Sequence, residues 1–158
     1  MPSAFSPIKG AQGFQQSNPG VLSTVSLLGS LEVFQAAGGL DVLRKRSVAL
    51  TKVLEEGIRS SKYYVPIERV HEATQPCMTI ITPADSESRG AQLSLLFAPT
   101  SSGTMQKVQE YLKAYGVVGD ERNPDVIRLA AAPLYVSEED CKKAIQVLND
   151  AFESLANE

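Results

Sequence analysis

The sequence predicts an α+β fold, a small, mostly antiparallel sheet with helices on one face. Apolar residues recur three and four positions apart from Leu40 to Ile58 and again from Cys141 to Leu155, the spacing that collects them on one side of a helix. The run AQLSLLFAP instead alternates Leu93, Leu95 and Phe97 with Gln92, Ser94 and Leu96, the two-residue period of a half-buried strand. Along the whole chain the order reads helix, helix, strand, strand, helix, strand, strand, helix, which describes an α+β layer.

Residues 1–20 hold three prolines and three glycines without a usable period and read as loop, with GAQG as a turn. A phosphate-binding loop would need a strand before it and a helix directly after it. From Val21, the apolar positions 21, 25, 28 and 31, joined by 27 and 34, predict a helix buried on more than one face, with Asn18 as its cap and Pro19 in its first turn. Gly38-Gly39 ends it. Leu40, Leu43, Ser47, Leu50, Leu54 and Ile58 carry the second helix, and Arg44, Lys45, Arg46, Lys52 and Glu55 fall on its other side. The RKR run is therefore a solvated helix face.

CMTIIT (77–82) is a short strand ended by Pro83, and with AQLSLLFAP it predicts a hairpin closed by a long loop. Met105, Val108, Leu112 and Tyr115 predict an amphipathic helix that stops at Gly116. VVGDER is extended up to the Asn123-Pro124 turn, and VIRLA is the last strand. Ser137 with Asp140 makes a start resembling a capping box for the final helix, which buries Cys141, Ile145, Leu148, Phe152 and Leu155. No internal repeat appears.

Composition narrows the function. With 158 residues, 43% of them hydrophobic, the chain can bury one core, and a single globular unit is expected. Eighteen acidic against fifteen basic residues, a net charge of -3, lack the basic field of a nucleic-acid binder. The uncharged, proline-free stretch from Gly20 to Leu31 falls well short of the roughly 20 apolar residues of a bilayer span. MPSAFSPIKG lacks the basic and apolar regions of a secretory signal, so a cytoplasmic protein is expected, with neither nucleic acid nor membrane as partner. Cys77 and Cys141 read as reduced core residues, and His71, with no second ligand type beside it, as a surface or strand-edge residue. No metal site is expected.

Arg128 stands out, a guanidinium between Ile127 and Leu129 in VIRLA. By the two-residue period it shares a face with Val126 and Ala130, opposite its apolar neighbours. Two readings follow. One is an arginine on the solvent side of the sheet. The other is a carboxylate clamp, a planar fork with room for a ligand beside the small residues Ala130–Ala132.

GFQQSNPGVLSTVSLLGSLEVFQAAG, SRGAQLSLLF and IRLAAAPLY closely resemble the C-terminal part of the kynureninase family, fold type I pyridoxal phosphate enzymes of the aminotransferase class V superfamily. The resemblance runs in order from about Phe5 to the last helix, with SNP and RNPxxIRxAxxPLY as its most specific patterns. It implies a homodimeric enzyme that hydrolyses L-kynurenine or 3-hydroxykynurenine to alanine and anthranilate or 3-hydroxyanthranilate, in tryptophan catabolism and NAD biosynthesis. It further implies that Arg128 pairs with the substrate's α-carboxylate, that Asn18 lies by substrate and cofactor, and that Ser17 lies beside the cofactor. On the same ground residues 1–20 are an active-site loop, 21–38 a long inter-domain helix leading to a large domain, and 39–158 the small C-terminal domain.

One departure bears on mechanism. In the family, the lysine that carries pyridoxal phosphate, the aspartate of its ring nitrogen and most phosphate ligands lie upstream, and no lysine here, Lys9 included, sits in a matching motif. The chain is therefore expected to be roughly the last third of an enzyme, to hold no catalytic residue of its own and to be inactive alone. Two alternatives remain: the small domain of another class V enzyme of the cysteine desulfurase type, against which GFQQSNPG argues, and a non-catalytic α+β binding module.

Overall fold

The computed structural model describes residues 6–157. The reading of the N-terminus as free of a secretory signal rests in part on Met1–Phe5, and that part falls outside the described residues. Contacts along the chain divide it into two compact units, Met1–Gly39 and Leu40–Glu158, where length alone predicted one.

In the first unit, a short 3₁₀ turn at Ala11–Phe14 is closed by the Gly13 N–H donating to the Gly10 carbonyl at 3.0 Å. A Cβ on Gly13 would stand 2.1 Å from the Ile8 carbonyl oxygen, so only glycine fits there. Helix α1 spans Val21–Ala36 and is capped by Gly20, not by Asn18. The Asn-Pro signal is displaced because Ser17 adopts a left-handed backbone (φ 64°) and Gly20 is still extended (φ -65°, ψ 111°), so the helix starts only at Val21. The Gly20 carbonyl accepts the first helical bond from the Thr24 N–H at 3.0 Å.

Nor is α1 buried on several faces within this chain, whose small sheet does not cover so apolar a helix. Val21, Leu22, Val25, Leu27, Leu28, Leu31 and Val33 are all exposed, Leu22 at 84%. Apolar residues surround the axis, so the helix has no polar side to turn outward. Its own unit offers no sheet or second long helix, among the described residues, to cover them.

The second unit is built on four strands, β1 (Cys77–Ile80), β2 (Gln92–Ala98), β3 (Asp120–Arg122) and β4 (Val126–Ala130), in the antiparallel order β1-β2-β4-β3. The predicted long-loop hairpin is β1–β2, with Cys77 opposite Ala98 and Ile80 opposite Leu95. Register sets one apolar face: Met78 beside Phe97, Ile80 beside Leu95 beside Ile127, and Leu93 beside Leu129. Against it pack α2 (Gly39–Arg59), α3 (Thr104–Ala114) and α4 (Glu138–Ala156), through Leu50, Leu54, Ile58, Met105, Val108, Leu112, Leu148 and Phe152. Each such side chain contributes about 1.5–3 kcal/mol by leaving water. The helix-on-one-face α+β fold class is thus present. Beyond β1, a parallel bridge from Tyr64 to Met78 closes the sheet's edge.

Three periodicity-based expectations shift at element ends. Leu40 and Tyr115 are exposed, because the first turn of α2 and the last residue of the α3 segment overhang the core; Tyr115 instead stacks on Tyr111 at 4.5 Å. Strand β1 stops at Ile80, two residues short of the predicted end at Thr82. Elsewhere α2 and α4 approach so closely that a Cβ on Gly57 would lie 2.2 Å from Ile145 Cδ1. Cys77 and Cys141 are free and buried, and His71 is exposed in a 3₁₀ segment at Ile67–Glu72. Among the described residues no single helix is long and apolar enough to cross a membrane.

The capping box expected at α4 is fully formed. Ser137 Oγ accepts the Asp140 N–H at 3.1 Å while Asp140 Oδ2 accepts the Ser137 N–H at 2.8 Å. Ser137→Ala is expected to lower stability by about 0.5–2 kcal/mol, read as a lower urea midpoint at unchanged m-value; an unchanged midpoint would show the cap to be idle. The apolar surface of α1 predicts that the chain associates as its concentration rises, and that Leu28→Glu with Leu31→Glu weakens this association. Sedimentation velocity across a hundredfold concentration range checks it, and a monomer throughout would contradict it.

Candidate functional site

Strand β4 carries the arginine that the sequence singles out. Ile127 and Leu129 are buried against the helices, which forces Arg128 onto the sheet's other face. Across the strands it stands in one row with Ser94 of β2 and Asp120 of β3. Its Nε donates to Asp120 Oδ2 at 2.7 Å, and its Nη2 donates to the same oxygen. Arg122 Nη2, from the next outward-facing position of β3, lies 2.9 Å from that oxygen.

Two guanidiniums thus share one carboxylate, and among the described residues neither makes an ion pair with another. The Arg128 hydrogen bond, opposed by desolvation and aided by the charges of Arg122 and Arg128, holds the Asp120 carboxyl below its ordinary value, so it is ionised at neutral pH. The Arg128 side chain is 31% exposed, and its Nη1 makes no hydrogen bond among the described residues. One edge of the fork is thus filled by Asp120, and the other holds no hydrogen bond among the described residues. Ala130, exposed and next on the same face, adds no bulk beside it.

The SNP loop lies in the first unit. Asn18 is exposed, caps nothing, and its amide makes no hydrogen bond among the described residues. Ser17 is held in its left-handed conformation with its carbonyl accepting from Gln15 Nε2 at 2.8 Å. A non-glycine residue there costs on the order of 1–3 kcal/mol, and such strain concentrates at functional loops.

Sequence reasoning missed two long-range ion pairs. One is Asp120 with Arg128. The other joins Arg89, of the SRGAQLS stretch, to Glu55 of α2, where the side chains are only 7% and 13% exposed. Arg59 adds a bond to Glu55 at 2.9 Å, and Arg89 Nη1 donates to the Pro83 carbonyl at 3.1 Å. Burial raises the Glu55 carboxyl, but the hydrogen bonds and charges of Arg89 and Arg59 outweigh it and the net shift is downward. Glu55 therefore staples the β1–β2 loop to α2 instead of facing solvent. The RKR run is also only partly free: Arg44 bonds the Ser86 carbonyl of that loop, and Arg46 donates to the Val136 carbonyl at 3.1 Å.

A cavity of about 370 Å³ opens on the helical side, lined by Leu129, Ala131, Tyr135, Val136, Cys141 and Lys143 among others. Ala130 also borders it, and Arg128 does not line it. No group of three or more His, Cys, Asp or Glu residues could hold a metal ion among the described residues.

Pyridoxal phosphate needs a lysine enclosed well enough to shed its charge. All eight lysines are exposed, and the ammonium groups of Lys62 and Lys142 are held above their ordinary value by Glu153 and Glu138. These residues do not fit covalent attachment of that cofactor.

Helices on one side of a four-stranded antiparallel sheet, with Arg128 on the other, make this a small α+β domain. A family model described as the kynureninase C-terminal domain matches residues 43–148. The chain is 51% identical to a kynureninase of Yarrowia lipolytica over 94% of its own length and 34% of that relative's. It is 46% identical to a Saccharomyces cerevisiae kynureninase over 98% of the chain and 35% of the relative, and 45% identical to one of Eremothecium gossypii over 100% and 36%. The chain belongs to the kynureninase family and spans about a third of the length of the curated relatives it matches.

The Glu55 network predicts an acid limb in stability. Because its folded pKa lies below the ordinary 4.5, its contribution is present above that value and is lost as pH falls through the folded pKa. Glu55→Gln is expected to be less stable than wild type at neutral pH, with a difference that narrows below about pH 4. Urea titrations of both proteins from pH 3 to 7 check it, and a pH-independent difference would assign Glu55 a packing role alone.

Proposed function

We propose that this chain is the substrate-holding C-terminal part of a pyridoxal phosphate-dependent kynureninase, which hydrolyses L-kynurenine or 3-hydroxykynurenine to L-alanine and anthranilate or 3-hydroxyanthranilate. The observation that carries the reading is the half-open Arg128 fork with its uncompensated charge, on the sheet face away from the core. A substrate α-carboxylate matches that fork in charge and planarity. Asn18, whose amide is uncommitted and can both donate and accept, is the polar contact near substrate and cofactor, with Ser17 setting its loop. In this reading residues 1–20 are the active-site loop, 21–38 the connection to a large domain, and 39–158 the small domain of a cytoplasmic homodimer.

Bound pyridoxal phosphate supplies the electron sink for cleavage at the substrate's β-carbon. Its lysine is not among the eight of this chain, whose residues bind and orient the substrate instead. A non-catalytic binding module remains the outcome if the arginine proves irrelevant to turnover.

The test uses this sequence joined to the upstream part of the Yarrowia lipolytica relative, assayed with L-kynurenine. Arg128→Ala is expected to cost ~2–5 kcal/mol in kcat/KM, the range for removing one partner of a desolvated charge pair. Arg128→Lys should recover only part, since an ammonium keeps the charge and loses the planar match. Asn18→Ser, which removes the amide without disturbing a cap, should change kinetics or the preference between kynurenine and 3-hydroxykynurenine. Cofactor content should stay near wild type in all three. Near-normal kcat/KM for both Arg128 variants would return Arg128 to a solvent-facing role.

A further inference from the structure

The geometry points to Asp120 as the positioning residue of the substrate site: it grips the Nε–Nη2 edge of Arg128, fixes the guanidinium plane, and leaves the Nη1 end for the incoming carboxylate. The inference rests on the reading of Arg128 given above. An arginine has four rotatable side-chain bonds, and a fork that is already ordered loses less on binding than a free one. Asp120 supplies that order from the directly opposite register position of β3.

Strand β3 is itself held in place for this task. A Cβ on Gly119 would lie 2.6 Å from Ile127 Cγ2, so the chain entering β3 lies flat against β4. Gln109 Nε2 donates to the Gly119 carbonyl at 2.9 Å, and Gln106 Nε2 donates to the Pro124 carbonyl at 3.0 Å, tying the chain on both sides of β3 to α3. A carboxylate beside a carboxylate-binding site would ordinarily repel its ligand. Arg122, 2.9 Å from Asp120 Oδ2, offsets that charge. The Asp120–Arg122 pair is then neutral, and the charge of Arg128 is available to the ligand.

The experiment uses the same full-length enzyme with four variants: Asp120→Ala, Asp120→Asn, Arg128→Ala and the Asp120→Ala/Arg128→Ala double variant. Asp120→Ala should raise KM for L-kynurenine by about tenfold with kcat within about twofold, the pattern of lost ground-state and transition-state binding alike. Asp120→Asn retains an oxygen able to accept from Nε and Nη2, and should stay within about threefold of wild-type KM. The double variant should match Arg128→Ala, because a residue acting only through Arg128 has nothing left to lose.

A second readout separates positioning from general support of the fold. Kynuramine, which is kynurenine without its α-carboxylate, should inhibit wild type and Asp120→Ala with the same Ki. Three results would overturn the inference: an unchanged or lowered KM in Asp120→Ala, an additive loss in the double variant, or a Ki for kynuramine that rises along with KM. If Arg128→Ala is crippled and Asp120→Ala is normal, this inference alone fails. If Arg128→Ala is itself near normal, the reading beneath it fails.

Discussion

Everything at the site depends on the two-residue period of β4. Ile127 and Leu129 are fully or almost fully buried against α3 and α4, and no register of a paired strand can bury both and bury Arg128 with them. A slip by one residue would drive a guanidinium into an apolar core at a cost of many kcal/mol. The apolar pair therefore fixes the arginine's face more firmly than any contact the arginine makes. Strand β4 is also an interior strand, hydrogen-bonded to β2 on one side and β3 on the other, so its backbone is a rigid mount for the site.

That mount explains why the two ion pairs of the second unit behave differently. Glu55 and Arg89 are nearly enclosed, and Arg59 and the Pro83 carbonyl help satisfy them. Breaking the pair strands a charge in poor solvent, so the pair is a structural staple. Asp120 and Arg128 lie on the open face, 49% and 31% exposed, where an ion pair contributes about 0–1 kcal/mol to stability. Stability gives little reason to keep them. In the proposed reading their arrangement prepares the fork for a substrate carboxylate.

Most of the second unit was legible in the sequence because its elements are long or strictly periodic. The Leu43-to-Ile58 stripe, the alternation in β2 and β4, and the Ser137–Asp140 capping box each encode their structure within a few residues. What was not legible depends on partners distant in sequence. Asp120 meets Arg128 only once the hairpin register is known, and Glu55 meets Arg89 only once a loop folds back over 34 positions. Helical spacing likewise cannot say that Leu40 and Tyr115 overhang the core. The Asn18 cap failed for a local reason, since an Asn-Pro pair signals a turn as readily as a helix start, and at Ser17 the backbone took the turn. Arg128 is the intermediate case: the two-residue period places it on the face away from the core, and its carboxylate role rests on the family resemblance.

Magnitudes then decide where the arginine can do its work. A carboxylate docking on a guanidinium that still sees water gains only the 0–1 kcal/mol of a surface pair, too little to select a substrate. The same contact rises to several kcal/mol once water is excluded around it. Among the described residues the fork keeps its exposure, because the helices pack on the opposite face of the sheet and Asp120 covers only one of its edges. In the proposed reading the missing wall comes from protein beyond this chain, whose length is about a third of its relatives'. The chain alone would then carry the recognition group in the right orientation and still bind substrate weakly. The exposed, all-round apolar α1 fits the same division, since a helix without a polar side is stable only when other protein surrounds it.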